Sequence, residues 1–151
     1  MYIKNNKTTF FLRKDKTLTK KPILFIHGFT GSSKLWSETR KKLNYPSIAI
    51  DIPGHGKSKF NDLQADYSYK DFRTELYLSL KKINVDKVHL CGYSMGGRLA
   101  ISFAQKYPEF IESLILESSS LGISNYVDKM KRYDNDILLS KDIINSIEEF
   151  N

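Results

Sequence analysis

The chain has 151 residues, of which 40% are hydrophobic and 27% charged. Its length suits one domain that buries roughly 70% of its unfolded surface, and the composition is that of an ordinary globular protein. The net charge of +7 is local: residues 1–21 carry seven Lys/Arg and one acid, whereas the other 130 residues balance to within one charge. A solvated basic segment accounts for this, so neither a nucleic-acid nor a membrane partner is expected. The lone Cys91 cannot form an internal disulfide, Met1–Lys21 is polar rather than leader-like, and no apolar run approaches the ~20 residues a bilayer demands. A cytoplasmic protein is the expectation.

In chain order, residues 1–14 suit one or two short strands around Thr8–Leu12. Ile23-Leu24-Phe25-Ile26 is a continuous apolar run, the pattern of a strand buried on both faces. It ends at His27-Gly28. Ser32-Ser33 offers a cap for a short helix with Leu35, Trp36 and Leu43 on one side. Ser47–Asp51 reads as a second buried strand, stopped by Pro53-Gly54. Ser68-x-x-Asp71 is a capping box, followed by Phe72, Leu76, Leu80 and Ile83 at helical spacing. Val88–Cys91 is a third strand, a helix runs from Ser94 to about Tyr107 before Pro108, and Ser113–Leu116 is a fourth strand. From Val127 the pattern is helical, with Leu139, Ile143 and Ile147 on one face. Strands alternating with helices imply an α/β domain: a mainly parallel sheet covered on both sides, with its working site at the carboxyl ends of the strands.

Those ends carry the chemistry. Gly92-Tyr93-Ser94-Met95-Gly96 joins a strand to a helix, and Gly-x-Ser-x-Gly in that context is a nucleophile elbow, which presents a serine hydroxyl at the tip of the sheet. A serine oxygen needs a base to take its proton and donors for the charge that develops on the substrate. The backbone N–H of Met95 is one donor, and that of Phe29, after the first strand, is the second. Asp51 reads as ordering its own turn, as do His27 and His55. His89 reads as a core or wall residue, and Cys91 as a small buried hydrophobe.

His27-Gly28-Phe29-Thr30-Gly31-Ser32, Asp51-Ile52-Pro53-Gly54-His55-Gly56-Lys57-Ser58 and Gly92–Arg98 together resemble the α/β-hydrolase superfamily. More narrowly they are similar to the 2-succinyl-6-hydroxy-2,4-cyclohexadiene-1-carboxylate synthases of menaquinone biosynthesis, which Tyr107-Pro108-Glu109, Ser113–Glu117 and Arg132-x-x-x-Asp136 also fit. The resemblance implies a lyase that expels pyruvate from a succinyl-bearing cyclohexene polycarboxylate. It implies Ser94 as the catalytic serine and Tyr93, Arg98 and Arg132 as substrate-binding residues. Guanidinium groups suit such a substrate because they hold carboxylates through paired hydrogen bonds. No cofactor, metal or nucleotide is implied. An esterase of the same fold and a non-enzymatic remnant are the other readings.

The family's triad runs serine, acid, histidine along the chain. The three histidines here, at 27, 55 and 89, all precede Ser94. The resemblance therefore implies a single domain incomplete at its C-terminus, with residues 122–151 as the start of a helical lid. Two further expectations follow: a complementing segment that supplies the acid and histidine, and self-association through the sheet edge left at Ser113–Glu117.

Overall fold

The structure, a computed structural model, describes residues 1–18, 21–122 and 124–149, with side chains as far as Leu138. The chain divides into two compact units, Met1–Ser120 and Leu121–Asn151.

The first unit is built on one seven-stranded sheet. Its strands are β1 (Tyr2–Lys4), β2 (Thr8–Lys14), β3 (Ile23–Ile26), β4 (Ser47–Asp51), β5 (Lys59–Phe60), β6 (Val88–Tyr93) and β7 (Ile111–Glu117). They lie in the order β1-β2-β4-β3-β6-β7, with β5 paired to β2. β4, β3, β6 and β7 run parallel, and β1, β2 and β5 add an antiparallel flank. The helices of this unit are α1 (Ser37–Leu43), α2 (Tyr69–Lys82) and α3 (Met95–Lys106).

The apolar runs are continuous because both faces of the parallel strands are covered. Leu24 and Ile26, Ile48 and Ile50, and Val88 and Leu90 point into a core completed by Phe72, Leu76 and Leu80 of α2 and Leu99, Ala100 and Phe103 of α3. The alternate residues Phe25, Ala49 and Cys91 point the other way, against Trp36. Phe25 and Trp36 stack with ring centroids 4.7 Å apart. Period-two alternation thus feeds two cores, and each large side chain buried there contributes roughly 1.5–3 kcal/mol.

Helix boundaries follow local chemistry. The Ser68 side chain accepts from Asp71 N–H while the Asp71 carboxylate accepts from Ser68 N–H, so the capping box at α2 is complete. The short helix expected after Ser32 opens instead as a 3-10 turn, Ser33–Trp36, before α1, because Trp36 must turn inward to reach Phe25. α3 stops before Pro108, which starts a 3-10 turn that buries Phe110 and lets β7 begin at Ile111, two residues ahead of expectation. β7 is the last strand of the described sheet, and Leu114, Ile115 and Leu116 are exposed on it. The basic N-terminal segment lines a cavity of about 1090 Å³ beside α1, to which Arg13, Lys14, Asp15, Lys16, Arg40 and Lys41 all contribute. Asp15 pairs with Arg40 at 2.8 Å and accepts from Ser47 N–H, which joins this segment to β4.

In the second unit, α4 (Tyr126–Glu149) is a single helix in which Arg132 Nε bonds Asp136 Oδ1 at 2.8 Å. The side chains of Leu139, Ile143 and Ile147 lie outside those described. No described helix is long and apolar enough to cross a membrane.

Candidate active site

Ser94 lies between the last residue of β6 and the first of α3, with φ 51° and ψ −115°. A non-glycine residue there stores roughly 1–3 kcal/mol of backbone strain. The surroundings impose it: Ser94 N–H donates to Glu117 O at 2.9 Å, and Ser94 O accepts from Gly97 N–H at 3.0 Å and from the Ser119 hydroxyl at 3.0 Å. Sequence reasoning missed Ser119, which buttresses the elbow from 25 positions away and carries no motif. The glycines on either side answer to space. A Cβ at Gly92 would stand 2.6 Å from Gly96 O and from Gly97 Cα, and one at Gly96 would stand 2.3 Å from His27 O. Only hydrogen fits where α3 crosses the ends of β3 and β6.

The loop after β3 closes on the elbow. A Cβ at Gly28 would meet Tyr93 Cδ1 at 2.9 Å and Ser94 Cβ at 3.3 Å. The next residue, Phe29, is 66% exposed. Neither its N–H nor that of Met95 has an acceptor among the described residues. Met95 is the first residue of α3, whose N-terminus carries partial positive charge. Two unpaired N–H groups therefore flank a half-buried serine whose own hydroxyl has no partner among the described residues. Such donors hold an anionic oxygen.

The loop after β4 is held by Asp51, which is 2% exposed. One carboxylate oxygen accepts from Ser33 N–H at 2.6 Å and the other from Lys57 N–H at 2.7 Å. It orders its turn, as its place in the sequence indicates. His55 stands beyond it, its ring 5.3 Å from that of His27 and 6.0 Å from that of Phe29. His27 is fully buried, and burial above all pushes its pKa down. His89 sits near the start of β6, five residues before Ser94 or about 16 Å along the strand, and its Nδ1 lies 2.8 Å from the Ser113 hydroxyl.

Tyr93 is half-buried beside Ser94. Arg98 is exposed one turn further along α3, and its guanidinium has no partner among the described residues. Arg132 belongs to the second unit and is paired with Asp136. The structure thus brings Phe29, Tyr93, Ser94, Met95 and Arg98 to one end of one sheet. Cys91 is buried, and burial followed by the nearby Glu117 pushes its thiol up to about 11. At pH 8 about a thousandth of it would be thiolate, so iodoacetamide is expected to leave the folded chain unmodified and to label it promptly in 6 M guanidinium. Equal labelling rates in the two states would contradict the burial.

The profile of the alpha/beta hydrolase fold matches residues 21–140. The chain belongs to the α/β-hydrolase family. Its relatives include the 2-succinyl-6-hydroxy-2,4-cyclohexadiene-1-carboxylate synthase of Klebsiella pneumoniae, 33% identical over 76% of this chain and 44% of that protein. A Bacillus subtilis relative assigned provisionally to the same synthase is 36% identical over 81% of this chain and 45% of its own length. This α/β-hydrolase chain spans less than half the length of both. Among solved structures, a membrane phospholipase A superposes with a TM-score of 0.72 at 27% identity, over 80% of this chain and 39% of that one. The family match runs from the residues before β3 through the elbow and into α4.

Proposed function

We propose that the chain carries the nucleophile-bearing part of a 2-succinyl-6-hydroxy-2,4-cyclohexadiene-1-carboxylate synthase. The observation that carries this reading is Ser94 on its strained elbow between two unpaired N–H groups, with the unpaired guanidinium of Arg98 one helical turn away. The relatives that bear the synthase name support the choice of substrate.

In this reading the Ser94 oxygen, once a base has taken its proton, starts the abstraction of a proton from a ring carbon of the succinyl-cyclohexene substrate; the electron pair left behind forms the second ring double bond, the carbon–oxygen bond to the leaving group breaks, and the departing enolate takes up a proton to become pyruvate. Negative charge develops on a substrate oxygen and is met by Phe29 N–H and Met95 N–H. Arg98 grips a carboxylate and Tyr93 lines the pocket. The acid and histidine that complete the triad come from a segment other than these 151 residues.

The test joins this chain to the later half of the Klebsiella pneumoniae synthase and measures pyruvate release beside p-nitrophenyl ester hydrolysis. Pyruvate release is the expected activity. Ester hydrolysis without pyruvate release would replace the lyase reading with an esterase, and neither activity would favour a non-enzymatic role. In the active fusion, Arg98→Ala should raise KM by roughly 10–100-fold, the loss of one charge-assisted bidentate contact, with a smaller fall in kcat. An unchanged KM would remove Arg98 from the substrate site.

A further inference from the structure

His27 directly follows β3, with its imidazole fully buried and both ring nitrogens engaged. Nε2 lies 3.0 Å from Ile52 N. A backbone N–H can only donate, so Nε2 must be the acceptor and carry no proton. The proton of the neutral ring then sits on Nδ1, which lies 2.7 Å from Gly28 O and donates to it. Burial favours this neutral form and the nearby His55 adds to it, whereas the bond to Gly28 and the charge of Asp51 oppose it. The tautomer is therefore fixed by its two partners.

Gly28 O accepts a second bond, from Gly31 N–H at 3.1 Å, so this carbonyl is pinned from two sides. The Gly28–Phe29 peptide is trans. In a planar trans peptide the C=O and the N–H point in opposite directions. Holding Gly28 O against the His27 ring consequently turns Phe29 N–H away from that ring, and this N–H has no acceptor among the described residues. Gly28 itself abuts Tyr93 and Ser94. One buried ring thus ties the loop after β3 to the loop after β4, through Ile52, and sets the plane of the peptide next to the elbow.

We infer that His27 is a positioning residue: its Nδ1–H bond to Gly28 O orients the Gly28–Phe29 peptide and so aims Phe29 N–H at the oxygen of a substrate held over Ser94. The second half of this statement rests on the reading of Ser94 as the nucleophile; the first half does not.

The experiment uses the 151-residue chain labelled with ¹⁵N. Long-range ring spectra of the wild type should show His27 with a protonated Nδ1 and a bare Nε2. Backbone N–H dipolar couplings in an aligned sample report the direction of Phe29 N–H. His27→Ala and His27→Gln should change that coupling while β3, β4 and β6 keep theirs. His27→Asn places a side-chain N–H where Nδ1–H was and should restore it. In the fusion that supplies the acid and histidine, phenylboronic acid, whose tetrahedral adduct on a serine mimics the anionic intermediate, should lose about 100-fold in affinity in the Ala and Gln variants, in line with the removal of one oxyanion donor, and recover in the Asn variant. A protonated Nε2, or a Phe29 coupling unmoved by both Ala and Gln, overturns the inference; the ring spectrum decides even where a variant does not fold. If the wild-type fusion takes up no boronate but the coupling responds as described, the role of His27 in the loop stands and the reading of Ser94 fails.

Discussion

The 151-residue chain by itself is expected to release pyruvate from the succinyl-cyclohexene substrate about 10⁶-fold more slowly than a complete synthase such as that of Klebsiella pneumoniae, because removing the base of a serine triad costs about that much. None of its histidines is hydrogen-bonded to Ser94. His27 is buried and both its nitrogens are bonded. His89 lies toward the opposite end of β6 and faces Ser113. His55 packs its ring against His27 and Phe29, with Nδ1 3.4 Å from Pro53 O. The groups of a triad act as a unit, so their losses do not add. Ser94→Ala should therefore change little in the isolated chain, yet cost about 10⁶-fold in a fusion that supplies the acid and histidine. Steady-state pyruvate release in the four combinations measures this. A turnover by the isolated chain that is near the rate of the complete enzyme, and lost with Ser94→Ala, would mean that a base is already present; His55→Ala would then show whether it is His55.

Legibility in the sequence tracked how local the cause was. The strands at Ile23–Ile26 and Ser47–Asp51 could be read to the residue because burial on both faces writes itself as an unbroken apolar run. The capping box at Ser68 and the stop before Pro108 are equally local. β5 left no such trace: its two residues are strand only because Thr8 and Thr9, some fifty positions earlier, pair with them. The 3-10 turn at Ser33 has the same origin, since it depends on where Phe25 waits for Trp36. In the site, the elbow was legible because its glycine spacing is a steric demand of the turn. The partners that hold the site were not. Ile52 reaches His27 across 25 positions and Ser119 reaches Ser94 across another 25, and neither bond leaves a pattern in the chain. The charges divide in the same manner. Arg98 is drawn to the elbow by helical spacing alone, whereas Arg132 sits on α4 with an i,i+4 partner, Asp136, that its sequence spacing already displays.

Gly96→Ala should destabilise the chain by about 3 kcal/mol or more, at or above the upper end of what an added methyl does in a packed core. The added Cβ would lie 2.3 Å from His27 O, 2.5 Å from Ile26 O and 2.8 Å from Ile26 C. All three are backbone atoms of β3 or the residue that follows it, so no rotamer change relieves the contact. Either α3 lifts from the sheet or β3 shifts against β4 and β6, and both strands are fully hydrogen-bonded to it. The first movement would carry Ser94 away from Gly28, and the second would disturb the His27 bonds, so the fusion should also lose turnover beyond its loss of stability. Total stability in domains of this size is about 5–15 kcal/mol, and each kcal/mol moves Tm by about 2–4 °C at this length. Urea titration should thus show a lower midpoint with an unchanged slope, and Tm should fall by roughly 10 °C. Arg98→Ala, two positions on but exposed, is the control and should stay within about 0.5 kcal/mol of the wild type. If Gly96→Ala unfolds beside that control, the packing of α3 on β3 is looser than the structure describes, and the strain at Ser94 must be held by the Glu117 and Ser119 bonds instead.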